Sequence, residues 1–451
     1  MTDVRAFGAM GDGKTDDTEV LQHAIADGDG ALEFGRGDYL IKQTIEIPLD
    51  KLGRLMMQGN GGRARILMAG TGPAFRLTGN HTGTGDPTSL QPDVWHRQRM
   101  PTILNLEIHG LHPEADGIEL VGTMQPTLEG VLIRKVRNGI RLFGRNRNVL
   151  ISHCHIYYNT GVGILMDQVN LHQINIASCH ISYNRLGGIR ISDSEIRNLQ
   201  ITGNDIEYNN HRAHKTEPAP TAEIYIDMTG EKASVAEVTI CSNTIQATPS
   251  PGGSNIRIIG DEKNTWGLIT ISGNIIGNQE NNVHLTRCHG IVLNGNFIYS
   301  AEKRSLLVEH SDGITVGSCN FRRHTPTLGT GVRFENSKNC VINGCHFHDE
   351  SEAGQTSGFS LLELADCRTF NINGCQILDG VPFGVDVLRS SNINLMGCTI
   401  LDSRETKASQ AAVHFAGEGG GSLLMGNTLG AGTKDRLLIE DASGVNVREN
   451  I

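Results

Sequence analysis

The stretch Ile269-Thr-Ile-Ser-Gly-Asn274-Ile-Ile276 holds the pattern that decides the fold. Two apolar residues flank one polar residue, a small residue follows, then Asn, one variable residue and a large apolar one. The same signature returns in Ser-Cys179-His-Ile, Gly-Asn204-Asp-Ile, Ser-Asn243-Thr-Ile, Gly-Asn296-Phe-Ile, Ser-Cys319-Asn-Phe, Gly-Cys345-His-Phe, Gly-Cys375-Gln-Ile, Gly-Cys398-Thr-Ile and Gly-Asn427-Thr-Leu, and Cys154 starts the series. The spacings run from 22 to 39 residues, so one unit repeats while its loops vary in length. A fixed minimum period of this size marks a solenoid. The alternation in Ile269-Thr-Ile271, Val283-His-Leu285 and Ile291-Val-Leu293 has period two, which selects strands over helices. The expected fold is all-β: a right-handed parallel β-helix of about 13 coils with an N-terminal capping helix, the cap over 1–50 and the β-helix over 51–451.

Stacked coils bring equivalent residues about 4.8 Å apart. A column of Asn can then bond from coil to coil, and Cys fits the same slot as a small buried hydrophobe. Six of the ten cysteines (Cys154, Cys179, Cys319, Cys345, Cys375, Cys398) fall in this column, and Cys288 and Cys367 share another, eight residues earlier. Their Cβ vectors run parallel and no CxxC occurs, so free thiols are expected.

The chain has 451 residues, which a solenoid accommodates by adding coils. A net charge of −10 with 39 basic residues excludes broad nucleic-acid binding, and no run of 18 apolar residues spans a membrane. Gly is abundant at 55, as many tight turns require. The sequence opens on Met1-Thr-Asp-Val without a leader. Expected localisations are therefore a secreted or periplasmic mature form lacking its signal, or, given the free cysteines, the cytoplasm.

Near the N-terminus, Asp16 or Asp17 can cap a helix through Glu19, Leu21, Ala24 and Ile25 that ends at Gly28. The segment Val4-Arg-Ala-Phe7-Gly8-Ala9-Met-Gly11-Asp12-Gly13-Lys-Thr15-Asp16-Asp17-Thr18, the Gln22-x-Ala24-Ile25 helix and the Gly37-Asp-Tyr39 turn resemble the entry module of the pectate-lyase-like β-helix superfamily. The resemblance implies a member of a group that includes polysaccharide lyases, polygalacturonase-like glycoside hydrolases and phage tailspikes. Gly35 departs from the family's usual Pro at that turn. The polygalacturonase motifs Asn-Thr-Asp, Asp-Asp, Gly-His-Gly and Arg-Ile-Lys are absent, as is the Arg-x-Pro-x-x-Arg element of one pectate-lyase class. Calcium, which many lyases of this fold use, is left open because no diagnostic Asp triad is present. Otherwise no cofactor is expected.

Chemistry is read instead from the register. Each ladder residue is followed by a loop and a Gly-Ile-x-Leu strand whose x points outward. That column reads Glu119, Arg141, Leu165, Arg190, Tyr225, Arg257, His284, Leu307, Arg333, Glu363, Asp386 and His414; the next outward position adds Asp167, Asp227, Thr286, Glu309 and Glu335. Long loops at 209–221, 246–254, 322–330 and 346–358 flank short connections at 277–282 and 299–305, which makes a saddle. The expected site has Glu309, Glu335, His284 and Asp227 as catalytic residues and Arg257, Arg333, Tyr225, Arg190 and Glu363 as substrate-binding residues. Paired carboxylates about 5 Å apart suit a retaining glycosidase and wider ones an inverting enzyme, so hydrolysis of a polysaccharide or oligosaccharide by Glu309 and Glu335 is the leading reading. The competing Glu/Arg surface ladder has Arg333 neutralising both. A lyase would use Arg257 or Arg333 against a uronate carboxylate and His284 or Tyr225 as base. A non-catalytic glycan-binding spike is the third reading; with only Trp95 and Trp266 in the chain, aromatic stacking platforms are scarce.

Most of the 18 histidines, His155, His180, His346 and His348 among them, read as loop residues. His346-x-His348-Asp349-Glu350 has the composition of a metal cluster without a distant further ligand. The chain ends directly after a coil at Asn446-Val-Arg-Glu-Asn-Ile451, from which a homo-oligomer, a trimer as in tailspikes, is the expectation.

Overall fold

A computed structural model describes residues 1–83, 86–263, 267–352 and 355–451. It divides into two compact units, Met1–Thr239 and Ile240–Ile451. Both are parallel β-solenoids, with about 17 turns in the chain. The count exceeds the expected 13 because the earliest turns lack the Asn/Cys signature. Glu107 pairs with Leu132 and Leu132 with His155, so buried Leu106 and Val131 occupy the slots that Cys154 fills one rung later.

In the first unit three parallel columns of strands stack rung on rung. One runs through Ala31–Glu33, Met56–Gln58, Thr102–Leu104 and Thr127–Glu129 into the second halves of Ile140–Ser152 and Ile164–Ala177, and then Glu195–Thr202. Another contains Glu107–Gly110, Leu132–Arg134, His155–Tyr157, His180–Ser182 and Asp205–Glu207. The third runs from Ile45–Pro48 through Gly72–Thr78, Ala115–Val121 and Ile189–Ser192 to Ala222–Asp227. The helix is Thr18–Asp27, ending at Gly28 as expected. Its capping differs in detail. Asp16 Oδ1 accepts from the Thr18 N–H (3.1 Å), whereas buried Asp17 turns away and accepts from the Met10 and Gly11 N–H groups (2.8 and 3.0 Å), tying down the preceding turn. Trp95 lies in the helical turn Val94–Gln98 with Arg99 5.1 Å over its ring; Trp266 lies outside the described residues.

The Asn/Cys column is buried throughout. In the first unit the Cys154 N–H donates to Cys179 Sγ (3.4 Å) and the Cys179 N–H to Asn204 Oδ1 (2.9 Å). In the second unit the Asn243 N–H donates to Asn274 Oδ1 (3.0 Å), Asn274 N–H to Asn296 Oδ1 (3.1 Å), and Cys398 N–H to Asn427 Oδ1 (2.8 Å). Cys288 and Cys367 donate their N–H groups to Ser311 and Ser390 Oγ (3.0 and 2.9 Å) in a second ladder. All ten cysteines are free thiols, nine of them buried. In the rungs that carry Asn or Cys, each ladder bond satisfies a buried backbone N–H of the turn.

His155, His180, His346 and His348 are strand residues rather than loop residues: the strand begins directly after the ladder residue at His155, His180 and His346, and His348 ends the last of these strands.

Candidate functional site

The second unit carries the outward column in the expected register. Arg257 pairs with His284, His284 with Leu307, Leu307 with Arg333, Arg333 with Glu363, Glu363 with Asp386, and Asp386 with His414. One pleat further, Thr286 pairs with Glu309 and Glu309 with Glu335. The strands Ile275–Thr286 and Phe297–Glu309 continue through the corners expected to be short, with a register shift between the Gln279 and Asn281 pairs.

His284 Nε2 lies 2.7 Å from Glu309 Oε2 and 3.2 Å from Thr286 Oγ1. Burial pushes the His284 imidazole below its usual range; the bond to Glu309 opposes that shift and the Arg257 charge adds to it. Arg257 donates through Nη1 to the Gly252 carbonyl (3.3 Å). Arg333 donates through Nε and Nη2 to Glu335 Oε2 (3.1 and 2.9 Å) and through Nη1 to Glu363 Oε2 (2.9 Å). The expected surface ladder had Arg333 neutralising Glu309 and Glu335 together. The guanidinium instead reaches Glu335 and Glu363, and Glu309 faces His284. Burial lowers Arg333, but its bonds to these two carboxylates outweigh that and hold the guanidinium above its ordinary value.

Glu309, Glu335, Arg333 and Leu307 line an open depression of about 420 Å³ together with Asn281, Glu302, Lys303, Arg304 and Phe359. Arg304 and Phe359 were not legible as site residues. Arg304 Nη2 donates to Glu363 Oε2 (2.8 Å) and stacks 3.8 Å over the Phe359 ring. Arg304 sits where the unbroken strand passes the corner, paired with Asn281, and Phe359 arrives from the long connection after His348. The length of that strand was the available signal. A second pair closes the column: Asp386 Oδ1 lies 2.9 Å from His414 Nδ1, Phe383 stacks on His414 at 4.4 Å, and burial raises Asp386.

Arg190, Tyr225 and Asp227 belong to the first unit. Arg190 stacks 5.2 Å from the Tyr225 ring, and Asp227 Oδ1 accepts from Thr229 N–H and Oγ1–H (3.0 and 2.7 Å). The loop at 209–221 forms the turn His211–His214, and His214 Nε2 sits 2.7 Å from the Tyr183 carbonyl. Within the His346-x-His348-Asp349-Glu350 segment, His348 Nδ1 lies 3.5 Å from Glu350 Oε1 and the His346 and His348 rings are 5.7 Å apart. His348 Nε2 lies 2.9 Å from Asp379 Oδ2, while buried Asp349 accepts from Ser357 N–H and Oγ–H (3.0 and 2.7 Å) and pairs with Arg323. Among the described residues no group of three or more His, Cys, Asp and Glu is arranged to hold a metal ion, and no helix is long and apolar enough to cross a membrane.

A family model described as right handed beta helix region matches residues 94–240 and 222–400. The chain belongs to the right-handed β-helix family. Among solved structures it is similar to a double mutant of the tailspike protein of E. coli bacteriophage HK620 in complex with pentasaccharide, at 13% identity and a TM-score of 0.51, covering 99% of this chain and 78% of that one. It also matches tailspike protein 3 of Bacteriophage CBA120 (13%, TM-score 0.43), covering all of this β-helix chain and 59% of the tailspike. The A-module of Azotobacter vinelandii mannuronan C-5 epimerase AlgE4 (15%, TM-score 0.42) is covered to 99%, as is this chain. No curated protein sequence matches.

Proposed function

We propose that this β-helix protein acts on glycans and cleaves glycosidic bonds with Glu309 and Glu335. One observation carries the reading: the two carboxylates stand on directly paired residues of adjacent rungs and line the same depression, each held by a different basic partner. Adjacent rungs separate paired positions by about 4.8 Å, close to the roughly 5 Å of a retaining carboxylate pair. Glu309, in contact with His284, gives its proton to the glycosidic oxygen. Glu335, oriented by two bonds from Arg333, attacks the anomeric carbon, and water then releases the sugar. Arg257 and Arg304 provide the cationic rim that orients the chain. The fold shared with a tailspike whose structure holds a pentasaccharide supports a glycan as ligand by analogy only.

A second reading is elimination across a uronate. It is favoured by the lowered His284, which stands neutral as a base beside Arg257, a partner for the substrate carboxylate. The experiment is a panel of neutral and uronate polysaccharides assayed for new reducing ends and for the ultraviolet absorbance of an unsaturated uronate. Hydrolysis gives reducing ends alone. Ultraviolet-absorbing product, abolished by His284→Ala but not by Glu309→Gln, replaces the hydrolase with the lyase.

A further inference from the structure

A second cavity, in the first unit, has a composition unlike the first. It is an open groove of about 460 Å³ along the face of the strands Ile140–Ser152, Ile164–Ala177 and Glu195–Thr202, and no charged residue lines it. Its polar lining is almost entirely carboxamide: Gln125, Asn148, Gln173 and Asn198 at the entry to successive rungs, and Asn175 and Gln200 on the strands behind them. Asn175 pairs with Gln200, and Leu150 with Asn175, so the groups repeat rung by rung. The four entry residues all have positive φ (55, 55, 62 and 57°), a conformation that Asn tolerates best after Gly. This repeated left-handed residue turns the chain at the groove's edge.

These amides differ from those of the internal ladders. The ladder Asn residues spend their carboxamides on neighbouring rungs, as Asn204 does on the Ile176 carbonyl (3.0 Å) and, in a parallel ladder, Asn159 on Asn184 (2.8 Å) and Asn184 on Asn209 (2.7 Å). The six groove amides are half-buried or exposed, and no side-chain hydrogen bond to protein engages them among the described residues. Each presents donors and acceptors together. Between them stand Leu150 and Met100, 43% and 58% exposed, as apolar contacts.

We propose that this groove binds a neutral oligosaccharide. Sugar hydroxyls donate and accept alike, which matches carboxamides, and the C–H faces of the rings match Leu150 and Met100. A groove without charge offers nothing to a phosphate or a uronate, in contrast to the Arg-lined depression of the second unit. The volume falls in the range of about 300–1,000 Å³ typical of small-ligand sites. The rung repeat of about 4.8 Å presents equivalent groups to successive sugars along a chain. The inference does not rest on the Glu309 reading.

The test uses the full chain with xylohexaose, cellohexaose, maltohexaose and chitohexaose, and with hexagalacturonate and a single-stranded oligonucleotide as charged probes. Calorimetry measures affinity, and hydrogen–deuterium exchange maps protection. At least one neutral hexasaccharide is expected to bind and to protect peptides across 148–200, with Glu309→Gln binding at this groove unchanged. The paired change Asn175→Ala with Gln200→Ala, both at regular strand positions, is expected to weaken binding about tenfold or more through two lost hydrogen bonds. Asn148→Gly with Gln173→Gly does the same while preserving the left-handed backbone. Absence of binding by all four neutral probes, protection confined to 280–335, or preference for the charged probes overturns the proposal. So does sedimentation in which the same variants change the oligomeric state but not the affinity, which would make this face a contact between copies.

Discussion

Replacing Asn274 by Ala strikes the ladder that holds the register of every site residue in the second unit. Its carboxamide makes four hydrogen bonds: Oδ1 accepts from the Asn243 N–H and Nδ2–H (both 3.0 Å), and Nδ2 donates to the Ile240 carbonyl and Asn296 Oδ1 (both 3.0 Å). Asn296 Oδ1 keeps a second donor, the Asn274 backbone N–H (3.1 Å). The Asn243 N–H and Nδ2–H and the Ile240 carbonyl each lose this partner at a buried turn. At about 1–3 kcal/mol for each buried group that loses its partner, the two backbone groups alone account for about 2–6 kcal/mol. Asn274→Cys tests the cause separately. A thiol in this slot accepts an N–H, as Cys398 Sγ does from Cys375 N–H at 3.4 Å, but its reach to the carbonyl one turn back is poor, at 3.9 Å for Cys398 to Ile372. Cys is therefore expected to recover roughly half of the loss. Urea unfolding followed by circular dichroism gives the total, and hydrogen exchange of peptides across 240–300 locates it in these rungs, since solenoids open locally. A loss below about 1 kcal/mol for Asn274→Ala, or equal damage from Ala and Cys, would refute the ladder as the source of register.

Glu309→Gln is expected to lower turnover about 10²- to 10⁴-fold with the fold intact, read by steady-state kinetics on the substrate identified in the panel. Arg257→Ala is expected to raise KM more than it lowers kcat. His81 is buried, its Nδ1 has no hydrogen-bond partner among the described residues, and burial with the nearby Arg147 and Arg145 charges lowers it to about 4 from an ordinary 6.5. Between those two values the unfolded chain binds the extra proton, so stability falls as pH falls through that window, by up to about 3 kcal/mol. Urea midpoints across that range should be flatter in His81→Gln than in wild type, and parallel curves would contradict the assignment. Ellman's reagent should react slowly with the native protein and with ten thiols after urea; fewer than ten would reveal a disulfide.

The outward column was legible because a β-solenoid converts sequence period into position: once the Gly-Ile-x-Leu strands are aligned, Arg257, His284, Leu307, Arg333, Glu363, Asp386 and His414 can only be neighbours in that order. The turn count was not, because Leu106 and Val131 do the work of Asn or Cys without resembling them. Arg304 and Phe359 were hidden for a related reason. Arg304 lies where a strand passes a corner and Phe359 on a long connection, and at neither place does the repeat constrain which side chain returns to the floor.

The amino-acid sequence alone determined the parallel β-helix, the buried Asn/Cys column, the free thiols and the rung on which each outward residue stands, since all of these follow from period and residue size. Only the tertiary structure decided that Arg333 binds Glu335 and Glu363, that His284 takes Glu309, and that six uncharged amides in the first unit line one groove. Long polar side chains choose among several neighbours about 5 Å away, and burial, rotamer and the path of the loops make that choice after the strands are stacked.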